Sequence, residues 1–131
     1  MNDQDDNERS DFPLKDETYQ IIGCAIEVLN SLGPGFPAKA YENALVIEFE
    51  SQSLPYQQAP SIPLVYKDNQ IGEFQVPLIL FDQVIVEPMV ADRVSTPERG
   101  QMLNYLKASG LPVGLILNFK RPRLFWERVL L

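Results

Sequence analysis

The sequence contains no histidine and only one cysteine, Cys24. The absence of histidine excludes Ser-His-Asp and Cys-His catalysis and zinc sites that depend on imidazole. A single cysteine cannot form a disulfide within the chain, so a cytoplasmic location is the expectation. Cys24 lies among apolar residues of a predicted helix, where we expect a buried packing thiol rather than a nucleophile. Any catalysis would therefore use carboxylates, Lys, Arg, Tyr, Ser or Thr.

Long hydrophobic runs are also missing. No apolar run approaches the roughly 20 residues that a membrane-spanning helix needs, so no membrane partner is expected. The acidic start of the chain has no apolar core of the kind that secretory signals carry, and we do not expect one there. With 131 residues, of which 45% are hydrophobic and 22% charged, the composition is typical of one soluble globular domain.

Basic side chains are outnumbered, with 11 Lys and Arg against 18 Asp and Glu, for a net charge of −7. Residues 1–18 alone contain seven acidic and two basic side chains, a net −5. Met1 is the one apolar residue before position 12, so these residues cannot bury enough surface to offset the entropy of ordering. We predict an acidic, disordered or mobile tail over residues 1–14 and a single domain over 15–131. A solubilising role is favoured for the tail, the alternatives being repulsion of nucleic acid or binding of a basic partner.

The apolar pattern predicts one α/β unit. Residues at helical spacing follow Asp16, the expected N-cap, and Gly33-Pro34-Gly35 ends that helix because proline lacks an N–H and glycine permits turn geometry. Prolines at 55, 60 and 63 then divide the chain into extended pieces. Further predictions are helices over 38–51 and 97–109, and strands over 64–66, 71–80, 84–86, 113–119 and 124–131, with a turn at 67–70.

Several exact strings follow one another along the chain. They are Ile21-Ile22-Gly23-Cys24-Ala25-Ile26-Glu27-Val28, Leu32-Gly33-Pro34-Gly35, Tyr41-Glu42-x-Ala44-Leu45, Val84-Ile85-Val86-Glu87, Gln101-x-Leu103-Asn104-Tyr105-Leu106 and Gly110-Leu111-x-x-Gly114-Leu115-x-x-Asn118-Phe119. In this order and at these spacings, the chain from about residue 18 onward is similar to the GxxExxY proteins, a small prokaryotic branch of the PD-(D/E)XK nuclease-like superfamily. The resemblance implies a restriction-endonuclease-like α/β fold, in which helices flank a mixed central β-sheet.

The same resemblance implies where a catalytic site would lie. In that superfamily, acidic residues on a hairpin hold Mg²⁺ beside the scissile phosphate, and a Lys two residues after the second acid helps to stabilise the transition state. Three positions of this site are retained in the present sequence. Glu87 matches the Glu of the Glu-x-Lys pair, Tyr41 the motif Tyr, and Gln101 a Gln that the family often carries on the following helix.

Three other positions are lost. Ala38 stands where the family has its leading Glu, Pro77 where it has the metal-binding Asp, and Met89 where it has the Lys. A single carboxylate is a poor Mg²⁺ site, because this ion prefers near-octahedral oxygen ligation. Pro77 and Pro88 also remove ladder donors, so we expect a bulge or local edge there. The sequence predicts a catalytically degenerate binding or scaffold module with no metal ligands and no cofactor.

The alternative is a Mg²⁺-dependent nuclease whose site has been rearranged around Glu87. Glu42 lies one helical turn after Ala38, and Glu73 lies on the predicted strand before Pro77. Lys107 lies on the helix after the hairpin, from which a relocated Lys could reach inward. Each of the three is more simply explained as a solvated surface charge. Magnesium would be the cofactor under this alternative only.

Candidate partner surfaces lie near the end of the sequence. Lys120, Arg121 and Arg123 precede Phe125 and Trp126, and basic residues beside aromatics can bind a phosphate backbone. Basic residues are also common gatekeepers of edge strands, which is the favoured interpretation here. The apolar segment over residues 124–131 is a candidate interface, so a homo-oligomer or a protein partner is expected ahead of nucleic acid.

Overall fold

The computed structural model describes residues 12–131. Within this range, the chain forms three helices and seven strands. None of these helices is both long enough and apolar enough to cross a membrane. The elements are α1 (Lys15–Leu32), α2 (Ala38–Ser51), β1 (Tyr56–Gln58), β2 (Ser61–Tyr66), β3 (Asn69–Gln75), β4 (Leu78–Leu80), β5 (Val84–Met89), α3 (Thr96–Ser109), β6 (Val113–Asn118) and β7 (Phe125–Leu130).

The central sheet has five strands in the order β1-β4-β5-β6-β7. β5 and β6 run parallel and are connected through α3, whereas the other neighbours are antiparallel. Side chains of β5 and β6 alternate between two apolar cores, one shared with α1 and α2 and the other with α3. Helices therefore cover both faces of a mixed sheet, and the predicted α/β restriction-endonuclease-like fold is confirmed.

The inner strands are buried on both faces, as their continuous apolar sequences predict. Every residue of β6 is buried, and so are the first three residues of β5. Gly114 of β6 lies directly under α3, where an added Cβ would overlap the side chain of Met102. This glycine is therefore required by close approach of the helix to the sheet.

The chain between β1 and β4 forms one long hairpin that bends away from the central sheet. The predicted single returning strand over 71–80 is wrong, because it divides into β3 and β4 at Val76 and Pro77. Backbone hydrogen bonds from Ala59 N to Pro77 O (2.8 Å) and from Val76 N to Pro60 O (3.4 Å) bridge the bend. The two prolines lack N–H donors, so the ladder cannot continue as a flat sheet through this point. The outer part of the hairpin, β2 with β3, forms a separate two-stranded sheet.

The bend leaves half of β5 with a free side. The last residue of β5 that pairs with β4 is Val86, opposite Leu78. From Glu87 to Met89, β5 pairs with β6 alone. The structure thus has the local edge that was expected around Pro88, and Glu87 lies where this edge begins.

The start of α1 differs slightly from the prediction. The helix begins at Lys15, so Asp16 lies in its first turn, and Leu14 adopts the left-handed conformation (φ 59°) at the N-cap. Phe12 is buried, its ring edge-on to Tyr19 at 6.4 Å, and the guanidinium of Arg128 lies 3.5 Å from its centre. Residues 1–11 of the predicted tail lie outside the described residues.

Candidate functional site

Glu87 is the best-placed carboxylate of the predicted site. It projects from β5 where β4 has stopped, and it is only partly exposed. Burial, and secondarily the charge of Glu42, raise the pKa of Glu87 to about 7. A carboxyl group of this kind is half protonated near neutral pH, so it carries only part of a negative charge there.

Glu42 completes what we call the acid pair, Glu42 with Glu87. Glu42 lies in the first turns of α2 and is 8% exposed. Its Oε2 atom accepts hydrogen bonds from Lys39 Nζ and from Gln58 Nε2, both at 2.9 Å. Gln58, at the end of β1, also donates to Asn43 Oδ1 at 2.9 Å. One oxygen of Glu42 is thus occupied by two protein donors, while its charge acts on Glu87.

Tyr105 of α3 also interacts with Glu87. Burial and the charge of Glu87 raise the pKa of Tyr105. The Tyr105 ring stacks on Phe74 of β3, with ring centres 5.3 Å apart and planes 6° from parallel. Gln101 lies one helical turn before Tyr105 and is exposed. Gln101 therefore lies on the same side of α3 as Tyr105, which interacts with Glu87.

Tyr41 lies in the core instead. It is fully buried and stacks on Phe119, with ring centres 4.3 Å apart. Its hydroxyl donates to Gly33 O at 2.6 Å and accepts from Phe36 N at 3.0 Å. In this structure Tyr41 ties the loop between α1 and α2 to the core. This role is positional, and sequence spacing alone did not indicate it.

The three positions at which the resemblance predicts charged residues are occupied by uncharged side chains. Pro77 lies at the bend of the hairpin, and Ala38 is the first residue of α2. Met89 is partly buried and packs on the core beneath α3. No carboxylate or lysine therefore replaces the missing groups at their own positions.

The acid pair offers a magnesium ion few protein ligands. Among residues 12–131 there is no group of three or more Asp, Glu, His or Cys side chains arranged to hold a metal ion. Within the acid pair, Glu42 already accepts two hydrogen bonds on one oxygen, and Glu87 is partly protonated at neutral pH. Mg²⁺ is commonly bound through one or two carboxylates together with water and substrate phosphates. Glu42 and Glu87 are therefore the residues that would hold it, and its binding would have to displace the proton of Glu87.

Of the three residues considered for a rearranged site around Glu87, two lie away from it. Glu73 is exposed on β3, opposite Pro63 in the two-stranded sheet. Lys107 is exposed on α3 and lines a groove with Leu64 and Val65 of the same hairpin. Both lie with the part of the hairpin that has turned away from β5. Only Glu42, the third candidate, approaches Glu87.

Loops at the end of the parallel strands bring basic side chains together. Asn118, at the end of β6, is buried; its Nδ2 donates to Ala91 O at 2.9 Å, and its Oδ1 accepts from Ala91 N and Lys120 N, both at 3.2 Å. Arg121 donates to Asp92 O at 2.7 Å, and Lys120 Nζ lies 3.8 Å from Asp92 Oδ1. Asn118 therefore holds the loop after β5 against the loop after β6. Asn118 belongs to one of the family strings, but the sequence predicted no role for it.

A third loop joins the same end of the sheet. Gly35 N donates to Phe119 O at 3.1 Å, which places the loop between α1 and α2 beside Lys120. Arg123 follows in the loop before β7 and lines a groove with Leu29 of α1. Five exposed basic residues lie on or next to these three loops, and we call them the basic edge: Lys39, Arg93, Lys120, Arg121 and Arg123. Lys39 also links this edge to the acid pair through Glu42.

Comparison with known proteins gives one match. A family model described as the PD-(D/E)XK nuclease superfamily matches residues 15–129. No curated protein and no solved structure matches the chain. The family match begins at the first residue of α1 and ends within β7, so it covers both helical layers and the whole central sheet.

Proposed function

The chain belongs to the PD-(D/E)XK nuclease superfamily, and from this premise we propose that it is a non-cleaving member that binds nucleic acid along its basic edge. The observation that carries the proposal is the state of the acid pair. Glu42 is held by Lys39 and Gln58, and Glu87 has a pKa of about 7. A site in this state offers a metal ion only two carboxylates, of which one is already hydrogen-bonded and the other must lose a proton before it can bind. Ala38, Pro77 and Met89 add no charged group to it.

The basic edge supports the choice of ligand. Lys120 and Arg121 lie in a loop before β7 and not along the strand, so protection of an edge strand does not account for them. Phosphate groups are bound mainly by Arg and Lys side chains, and this contribution to affinity does not depend on base sequence. Residues 19–131 carry a net charge of only −2. Two of the five basic side chains are ion-paired, Lys39 with Glu42 and Lys120 with Asp92, so a phosphate group would replace the carboxylate at these two positions.

The test is salt-dependent binding to labelled DNA, measured by fluorescence anisotropy, with a plasmid-nicking assay in Mg²⁺ and Mn²⁺ on the same preparation. We expect binding without nicking. The double variant Lys120→Ala with Arg121→Ala should weaken binding and reduce the slope of log affinity against log salt by roughly 2, one for each phosphate that the variant no longer neutralises. Lys67→Ala, which removes an exposed lysine at the tip of the hairpin, is the matched control. Equal affinity in the double variant and in wild type would contradict the proposal.

A rearranged nuclease is the second candidate, because the charge of Glu42 acts on Glu87. Two carboxylates that share one metal ion lie close enough together for the charge of one to raise the pKa of the other when the metal is absent. This candidate predicts metal-dependent nicking that is lost in both Glu42→Gln and Glu87→Gln. It also predicts that Mg²⁺ or Mn²⁺ raises the melting temperature of wild type but not of the variants. Such a result would replace the non-cleaving proposal.

A protein partner is a compatible proposal. Phe125, Leu130 and Leu131 at the two ends of β7 are exposed apolar side chains, and an edge strand of this kind is commonly covered. A second copy of the chain is the simplest partner, and light scattering coupled to size exclusion tests it. Membership of the GxxExxY branch, a prokaryotic source and a cytoplasmic location remain proposals from the sequence.

A further inference from the structure

Phe36 is an exposed aromatic residue on a loop that is fixed at several points. Its side chain is 50% exposed, although the backbone around it is firmly held. Its own N–H donates to the Tyr41 hydroxyl, and the preceding Gly35 donates to Phe119 O. The ring lies 6.4 Å from Tyr41, tilted by 59°. The loop therefore presents an aromatic surface to solvent at little cost in conformational freedom.

The surroundings of Phe36 are basic. Lys39 follows it at the start of α2, and the Lys39 side chain is 64% exposed. Lys120 follows Phe119, the residue whose carbonyl binds Gly35, and Arg121 comes next. The residue that bears the exposed ring thus has basic residues of two segments nearby, Lys39 three positions along its own segment and Lys120 next to the residue that binds Gly35. A rigid aromatic ring among phosphate-binding groups has the composition of a single-strand binding surface.

We propose that Phe36 is a stacking platform for an unpaired nucleobase, with the adjoining phosphates bound by the basic edge. This inference rests on the proposed function and deepens it, because it predicts a preference for single-stranded nucleic acid. In a duplex the faces of the bases are covered by their neighbours, and only an unpaired base can lay its face on a protein ring. The basic edge alone would bind both single-stranded and duplex nucleic acid, whereas Phe36 contributes only to the binding of a single strand.

Phe125 is the other exposed phenylalanine at this end of the sheet, but it is less suited to the role. It lies opposite Asn118 in the register of β7 with β6, so its side chain is on the α3 side of the sheet. Phe36 belongs to the loop that leads into α2, on the opposite side, and shares that side with Lys39. We therefore assign the contact with the unpaired base to Phe36 and not to Phe125.

The experiment compares a labelled oligothymidine of about 12 nucleotides, inside the roughly 4–16 nucleotide range of single-strand sites, with a duplex of the same length. Affinities are measured by anisotropy at one salt concentration. Phe36→Ala should weaken single-strand binding roughly 5- to 150-fold, the range for loss of one stacked base, and leave duplex binding unchanged. Phe36→Trp should retain the affinity for the single strand. Phe36→Leu should weaken it as Phe36→Ala does, because leucine keeps apolar bulk without an aromatic face.

Tyr66→Ala is the matched control. Tyr66 is an exposed aromatic residue next to a lysine, with Lys67 Nζ 5.5 Å from its ring centre, but it lies at the tip of the outer hairpin. Its removal should change neither affinity. Circular dichroism melts establish whether each variant is folded. If Phe36→Ala does not fold, the comparison of Phe36→Trp with Phe36→Leu tests the stacking inference instead.

The outcomes separate the two proposals. If wild type binds both oligonucleotides and Phe36→Ala weakens neither, the stacking inference is overturned and the proposed function stands. An equal loss for single strand and duplex also overturns it, because the ring would then act through the loop. If Phe36→Leu binds the single strand as well as wild type, the ring is an apolar contact and not a stacking platform. Failure of wild type to bind either oligonucleotide overturns the proposed function itself.

Discussion

Replacing Glu87 with glutamine should stabilise the protein, and by an amount that grows with pH. Burial and the charge of Glu42 raise the pKa of Glu87 from 4.5 to about 7. Between these two values the folded state binds more protons at this site than the unfolded chain does. The free energy of unfolding therefore falls as the pH rises from about 4.5 through about 7. Glutamine resembles the protonated carboxyl group and removes that loss.

The magnitude follows from the size of the shift. A difference of about 2.5 pKa units at about 1.36 kcal/mol each corresponds to about 3 kcal/mol of stability lost by wild type at pH 8. At pH 5 most of that loss has not yet occurred, and the expected advantage of Glu87→Gln is about 1 kcal/mol. At pH 8 the gain corresponds to roughly 8–15 °C in melting temperature for a domain of this size.

Urea unfolding followed by circular dichroism at several pH values between 5 and 8 measures this difference. Glu73→Gln removes the same charge from the exposed face of β3 and is the control. Glu42→Gln should give a smaller gain at pH 8, because burial is the larger cause of the shift and persists without Glu42. A Glu87→Gln advantage that is equal at pH 5 and pH 8, or a loss of stability at pH 8, would refute the reasoning.

Three further changes test the packing around the site. Tyr41→Phe leaves Gly33 O and a loop N–H without their buried partner, which should cost about 1–3 kcal/mol in urea unfolding; no change would contradict the proposed anchoring of the loop. Gly114→Ala should cost about 1–3 kcal/mol because its Cβ overlaps Met102, and Met102→Ala should cost less in that background than alone, as a double-mutant cycle will measure. Burial, with a nearby carboxylate, raises the pKa of Cys24 to about 11, so its alkylation at pH 8, followed by mass spectrometry, should be at least about 100-fold slower than that of a free cysteine.

Much of the architecture is predictable from local patterns. Gly33-Pro34-Gly35 ends α1, and Gly110 ends α3 in the left-handed conformation that glycine favours. The continuous apolar runs of β5 and β6 indicate strands buried on both faces, and the structure has them so. These features depend on neighbours along the chain, which explains why the sequence alone reveals them.

The hairpin shows where local patterns stop being sufficient. Residues 71–80 carry a run of strand-forming side chains, and Pro77 within it indicates a local irregularity but not that the strand divides in two. At the break Ala59 faces Pro77 and Val76 faces Pro60, so two successive positions of the ladder each contain a proline, and this placement depends on the register of the two strands. The β1 strand was missed for the same reason, since its three residues become a strand only by pairing with β4.

Fold class and superfamily were thus determined by the sequence itself, because residue identity and spacing are enough to establish them. Only the tertiary structure decided that Glu42 acts on Glu87, while Glu73 and Lys107 lie with the outer hairpin. Charge interactions and burial depend on distance in space, and a bend of the backbone can separate groups that the sequence places close together.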